Sequence, residues 1–262
     1  MKNRLFSSIV LLCIVIPIFI IGNNIFLIFD GIVACLAYKE LTKLKKDTPV
    51  ICLILGLLSL ILFIYSNNTK NMFLVGIPYF PIIFTFLTLL VPTIYSKYYK
   101  KYTTSDAFNL IGIVLFLGLA FNSFNVYMMT NKMLLLYIAI ITILSDVFAY
   151  LFGSKFGKRH FTKISPNKTI EGSVAGLIIG TIGGVLFYIY MIDSSVNIIY
   201  IIGLTILLNI FGMVGDLIFS KIKRDNNIKD FSNLIPGHGG ILDRLDSLII
   251  ASLVYLLITK ML

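Results

Sequence analysis

Apolar residues fill this chain in long runs, and short polar breaks separate them. A helix that crosses a bilayer needs about 20 predominantly apolar residues, with a range of roughly 17 to 25. Nine runs approach that length, at about 5–22, 25–41, 50–66, 72–94, 107–122, 133–152, 172–192, 197–219 and 241–259. The fourth contains Pro78, Pro81 and Pro92, which predicts a kinked or broken helix. The first run comes after Lys2 and Arg4 and has the look of a signal peptide. No small-residue cleavage site succeeds it and further runs come at once, so it reads as a retained first helix. The pattern predicts an all-α, polytopic integral membrane protein.

The distribution of cations predicts the orientation. With the N-terminus inside, the inside segments hold 19 of the 22 Lys and Arg residues, and the outside segments hold only Lys70, Lys132 and Lys260. Cytoplasmic loops carry such an excess, so nine spans with a cytoplasmic N-terminus and an outside C-terminus are expected. Composition agrees: 58% of the 262 residues are hydrophobic, 13% are charged, and the mean hydropathy is +0.96. The formal net charge of +10 would suggest nucleic acid in a soluble protein. Here topology accounts for it, and no nucleic-acid partner is expected. Cys13, Cys35 and Cys52 sit inside apolar runs without metal-ligand spacing and read as buried apolar residues.

The expected outside loops, 22–24, 67–71, 123–131 and 193–195, are short. The longest inside ones, 153–171 and 220–240, are polar and basic, so any chemistry is expected on the cytoplasmic side. Residues 1–132 then form an N-terminal region of five spans. Residues 133–262 form a C-terminal catalytic region of four spans.

Carboxylates inside spans are expensive, costing about 2.5–3.5 kcal/mol each at a helix centre, and they tend to be functional. Asp146 and Asp216 fall toward the cytoplasmic ends of the sixth and eighth spans, and Asp243 and Asp246 open the ninth. Four acids from three helices therefore converge on one depth. Asp243 and Asp246 share a helix face, as do Asp216 and Ser220, with Asn209 two turns earlier. Oxygen donors without nearby His or Cys suit Mg²⁺ rather than zinc. The plainer reading is that Asp243 and Asp246 favour a helix N-terminus and that Asp216 pairs with a local Lys. Asp30 stands apart, early in the second span, and is expected to be structural.

The stretch from Ser220 to Asp246 adds Lys221, Lys223, Arg224, Lys229 and Arg244. Within it, Pro236-Gly237-His238-Gly239-Gly240 predicts a turn before a helix start, where backbone N–H groups approach an anion. His238 either donates to phosphate or holds the turn. The segment Gly153-Ser154-Lys155-Phe156-Gly157-Lys158-Arg159 hints at a phosphate loop but has the wrong spacing and comes after a span rather than a strand. It reads as a basic loop near phosphates or headgroups. Together these features suit a phosphorylated lipid meeting a nucleotide.

Three segments carry a resemblance. They are Ser220-x-Ile222-Lys223-Arg224-x4-Lys229-Asp230 with Pro236-x-His238-Gly239-Gly240-Ile241-x-Asp243-Arg244-Leu245-Asp246, then Ser145-Asp146-x-x-Ala149-Tyr150-x-x-Gly153 with Phe156-Gly157-Lys158, and Ser165-Pro166-x-Lys168-Thr169-x-Glu171-Gly172. They resemble the phosphatidate cytidylyltransferase (CDP-diacylglycerol synthase) family over about residues 145–247. The resemblance implies transfer of CMP from CTP to phosphatidate, giving CDP-diacylglycerol and pyrophosphate, with Mg²⁺ and a possible second cation. It also implies a homodimer and a membrane-embedded cavity facing the cytoplasm. Asp216 and Asp243 would be the main metal ligands, with Asp246 and Asp146 as partial or supporting ones. Lys223, Arg224 and Lys229 would hold the CTP phosphates, and Lys168 and Arg159 the lipid phosphate. Ser220, His238, Gly239, Gly240 and Arg244 complete the expected substrate-binding set. Two other readings compete: another CTP-dependent lipid enzyme, such as a polyprenol kinase or an ether-lipid cytidylyltransferase, and an ion-coupled transporter.

Overall fold

A computed structural model describes all residues except Met1, Lys46, 67–78, 96–101, Lys163, Asn167, His238 and Leu262. The described residues form eight helices: α1 (Lys2–Ile21), α2 (Asn23–Thr42), α3 (Val50–Tyr65), α4 (Phe80–Leu90), α5 (Thr104–Phe156), α6 (Ile170–Met191), α7 (Ile198–Asp225) and α8 (Leu242–Met261). A short 3₁₀ turn, Val91–Ile94, extends α4. Among the described residues no strand occurs, only two isolated bridges, His160 with Thr169 and Ile235 with Gly239. Two compact units result. One comprises residues 1–126 and 231–241, the other residues 127–230 and 242–262.

Helix α6 shows what kind of solvent surrounds the chain. Gly172, Gly176, Gly180 and Gly184 are buried. Val174, Ile178, Ile182, Leu186 and Tyr190, half a turn away, are exposed. In water the large apolar residues would face inward. Lipid removes that drive, so small residues take the contact face and large apolar ones face the acyl chains. Helices α5, α6 and α7 are long and apolar enough to cross a membrane.

In α5 the expected loop at 123–131 narrows to Asn131, where two helices meet across a kink. The 53 residues of α5 would extend roughly 80 Å as one helix, more than twice the hydrocarbon thickness. Both the fifth and sixth expected spans lie within it. The segment between them has no Gly or Pro, and it stays helical until Asn131 alone leaves the helical region at φ −154°, ψ 104°. The Asn131 Oδ1 accepts from Met133 N at 3.0 Å, so the residue caps the next helical stretch. The fourth expected span is helical from Phe80 on, and its residues 72–78 lie outside the described set.

In the first unit, α2 and α3 exchange tyrosines. The Tyr38 hydroxyl donates to Leu53 O at 3.0 Å, and the Tyr65 hydroxyl donates to Leu27 O at 2.7 Å. Each ring lies over a glycine of the other helix, Tyr38 over Gly56 and Tyr65 over Gly31, where a Cβ would strike the phenol. Asn122 on α5 donates to Ile64 O at 2.9 Å near the end of α3. Asp30 is buried beside Asn125. Lys45 pairs with Asp106 in the first turn of α5. Of the three free cysteines, Cys52 is buried, Cys35 is partly so, and Cys13 is exposed rather than buried as expected. An apolar thiol on a helix side needs no burial when lipid surrounds it.

In the second unit the glycine face of α6 lies directly on α5. A Cβ on Gly176 would stand 2.5 Å from the Ser145 carbonyl oxygen, and one on Gly180 would stand 3.0 Å from the Ile141 oxygen. Asn209 on α7 ties the other side, donating to Leu177 O at 3.1 Å. Helices α7 and α8 meet through Gly212 and Gly215. A Cβ on Gly215 would sit 2.8 Å from the Asp246 carbonyl oxygen. These close approaches set the spacing of the three helices that carry the acids. Gly176→Val is therefore expected to destabilise the protein by about 1–3 kcal/mol through overpacking. Gly203→Val is expected to be nearly silent, because nothing lies within 4 Å of a Cβ there. Thermal unfolding in micelles compares the two, and equal shifts would contradict the backbone-contact reading.

Candidate active site

The polar segment after the eighth expected span does not begin as a loop. Helix α7 runs on to Asp225, six residues past the expected end at 219. Lys and Arg are good helix formers, Lys221 pairs with Asp225 one turn on, and Lys223 and Arg224 complement the C-terminal dipole. The helix stops at Asn226 and Asn227, where Asn227 takes φ 54°. As a result Asp216, Ser220 and Lys223 stand at i, i+4 and i+7 on one stripe of α7.

Each of the two expected primary acids meets a lysine. Lys223 Nζ donates to Asp243 Oδ1 at 2.6 Å, with the side chains 12% and 4% exposed. This pair ties α7 to the first turn of α8. Lys168 Nζ pairs with Asp216 Oδ2, and the Ser220 hydroxyl donates to Asp216 Oδ1 at 3.3 Å. The lysine on Asp216 is thus a distant one, from the loop between α5 and α6, rather than the local Lys of the plainer reading. Asp246, one turn after Asp243, feels both Asp216 and Asp146 electrostatically. Asp146, on α5, interacts with Lys168, Asp216 and Arg244. The second unit therefore gathers Asp146, Asp216, Asp243, Asp246, Lys168, Lys223, Ser220 and Arg244. Asp146 and Arg244 stand at its exposed edge, and Arg159, Arg224 and Lys229 are exposed as well.

Lys168 owes its place to the loop between α5 and α6. Phe161 N donates to Lys168 O at 2.8 Å, and Ile170 N donates to Arg159 O at 3.0 Å, closing the loop at its base. Thr169 caps α6, its hydroxyl accepting from Gly172 N at 3.2 Å. Glu171, in the first turn of α6, accepts from Lys158 N at 3.1 Å and from Arg159 N at 3.3 Å. Gly153 and Gly157, glycines of the apparent phosphate loop, instead let Thr169 approach: a Cβ on either would sit within 2.8 Å of its Oγ1. Glu171 is a contributor that sequence reasoning missed. Its signal was its place in the block Ser165–Gly172.

Gly239 and Gly240 belong to the first unit. Ile235 N donates to Gly239 O at 2.9 Å, closing a tight turn. Gly237 and Gly239 take φ 78° and 86°, left-handed values that favour glycine. His238 lies outside the described residues. The expected turn before a helix start is present.

The carboxylates Asp146, Asp216, Asp243 and Asp246 are hard oxygen donors, a type suited to Mg²⁺ more than to zinc. Among the described residues no three acids, histidines or cysteines stand as a ready ligand group. Lysine ammoniums neutralise Asp216 and Asp243 instead. Two lysines on two carboxylates form a charge-balanced arrangement in which incoming phosphates can take the lysines and a cation can take the acids.

A family model described as the cytidylyltransferase family matches residues 2–262. A protein of Staphylococcus aureus (strain COL) named phosphatidate cytidylyltransferase is 33% identical over 252 residues, 94% of each chain. Proteins of the same name from Staphylococcus haemolyticus (strain JCSC1435) and Staphylococcus epidermidis (strain RP62A) are 33% and 32% identical, again over 94% of each chain.

Proposed function

The chain belongs to the cytidylyltransferase family, and from that premise we propose that it is a phosphatidate cytidylyltransferase, a membrane nucleotidyltransferase of phospholipid biosynthesis. Its substrates are CTP and phosphatidate. Its products are CDP-diacylglycerol and pyrophosphate. The observation that carries the reading is the pair of lysine–carboxylate contacts, Lys168 with Asp216 and Lys223 with Asp243, whose acids stand on the adjoining helices α7 and α8.

The reaction needs little help from a general base. A phosphatidate phosphate oxygen is already an anionic nucleophile at neutral pH. It attacks the α-phosphorus of CTP, a new P–O bond forms, and the bond from that phosphorus to the bridging oxygen of the β-phosphate breaks. The barrier is the approach of one anion to another. Fixed positive charge and in-line positioning therefore account for most of the catalysis. Lys223 turns from Asp243 to the CTP phosphates and the departing pyrophosphate, and Arg224 and Lys229 extend that grip at the cytoplasmic edge. Arg224 can hold two phosphate oxygens at once. Lys168, with Arg159, takes the lipid phosphate. Asp216 and Asp243 with Asp246 would hold Mg²⁺, with Asp146 in support. Bound there, Mg²⁺ would supply charge neutralisation on the reacting phosphates. The cation bias of the inside segments supports a site facing the cytoplasm. We extend the reading to a homodimer on the family resemblance alone.

Labelled CTP tests the assignment. Purified protein in micelles with phosphatidate and Mg²⁺ is expected to move label from the α-phosphate of CTP into lipid, and none from the γ-phosphate. Transfer from the γ-position would make it a lipid kinase. Substrate flux into liposomes without CTP would favour the transporter.

A further inference from the structure

We propose that Glu40, on α2 of the first unit, is a positioning residue for this reaction, its carboxylate clasping the 232–241 loop that leads the chain into Asp243. The inference rests on the cytidylyltransferase function proposed for the chain. Glu40 is only 4% exposed. Its Oε1 accepts from the Ser232 hydroxyl at 2.5 Å and from the backbone N–H of Ile241 at 2.9 Å. The two donors lie at the two ends of the loop, so one oxygen closes it. Gly240 completes the fit. A Cβ there would lie 2.7 Å from the Glu40 carboxyl carbon, so the absence of a side chain lets the carboxylate reach the backbone.

The placement matters because Ile241 immediately precedes α8, and Asp243 is two residues beyond the N–H that Glu40 binds. A loop of ten residues with two left-handed glycines has many conformations of its own. A buried acceptor shared by both ends removes most of them. An acid left buried in an apolar helix must answer to a partner, since its desolvation is otherwise uncompensated. Ser232 and Ile241 supply two such partners, both on this loop. Glu40 is assigned no contact with the reacting groups. It acts through the backbone.

The test uses the full-length protein in micelles, with kcat and both KM values measured beside hydrogen exchange of the 232–241 segment. Glu40→Ala is expected to lower kcat by about tenfold, as loss of hydrogen bonds to a charged group does. KM for CTP and for phosphatidate should change less than kcat, and exchange should rise in 232–241. Glu40→Gln keeps an acceptor at the same position and is expected to retain at least half of kcat and of the protection. Ser232→Ala, which removes one donor and leaves α2 intact, is expected to fall between. Wild-type kcat in Glu40→Ala would overturn the proposal. So would a Gln variant as impaired as Ala, or exchange that rises equally throughout the protein in all three variants. The wild-type protein separates this from the function itself: if it transfers no CMP to phosphatidate, the underlying reading fails, whereas an active wild type with indifferent Glu40 variants fails the clasp alone.

Discussion

Asp243→Asn is expected to leave the protein inserted in the membrane while lowering kcat for CDP-diacylglycerol formation by about 10²–10³-fold, the usual loss when one preorganised electrostatic partner is removed. Asn has the same shape and offers an oxygen to Lys223 Nζ, so the α7–α8 contact at 2.6 Å has a replacement acceptor. It lacks the charge. The Lys223 ammonium, whose side chain is only 12% exposed, then loses the anion it touches. Breaking a buried ion pair by removing one member costs about 3–5 kcal/mol, whereas replacing both with neutral groups is often harmless. This gives a way to separate structure from chemistry. The double variant Lys223→Met/Asp243→Asn is expected to recover thermal stability relative to Lys223→Met, which takes the ammonium from a buried carboxylate, and to remain inactive. Near-normal turnover in Asp243→Asn would remove Asp243 from the metal-holding group. Return of activity together with stability in the double variant would make the pair a strut and nothing more.

The fold was legible where lipid imposes the pattern. Apolar runs of spanning length had to be helices, because no other open structure satisfies its backbone in hydrocarbon. The acids at 146, 216, 243 and 246 stood out for the same reason, since charge there is costly. Charge misled the reading after the eighth apolar run. Residues 220–225 looked like loop because they are polar, yet Lys and Arg propagate a helix well, and α7 carries Lys223 onto the stripe of Asp216. The outside loop at 123–131 looked like a turn only because a second span had to come after it, although its residues contain no breaker before Asn131. Pairings across long separations were the least legible. The Lys168–Asp216 contact depends on a loop base closed by Glu171 and by two backbone bonds. Glu40 meets Ser232 across 192 residues. At the end of an apolar run beside Lys39, a lone glutamate resembles ordinary boundary charge, and only burial reveals otherwise.

Lys168→Ala is expected to raise KM for phosphatidate by about 10–10²-fold, the value of one charge-assisted contact to phosphate, with a smaller change in KM for CTP. The lysine is well placed to discriminate between two roles. Its ammonium contacts Asp216, and both side chains are partly exposed, at 24% and 20%. A pair so close to solvent contributes little to stability, so removing it should barely alter thermal unfolding. The contrast with Lys223 is physical: that lysine and its acid are more deeply buried, and their separation should be felt in folding. If Lys168 serves only to neutralise Asp216, the variant will bind Mg²⁺ more tightly and keep its KM for lipid, because a competing cation has been removed. If Lys168 meets the lipid phosphate, KM for phosphatidate rises and Lys168→Arg restores much of it, since charge is retained on a side chain of similar reach. A larger rise in KM for CTP than for phosphatidate would mean that the two phosphate sites have been exchanged. Glu171→Gln offers an independent check on the same site. It weakens the acceptor for Lys158 N and Arg159 N without touching the ammonium. The same substrate should therefore lose affinity, by less.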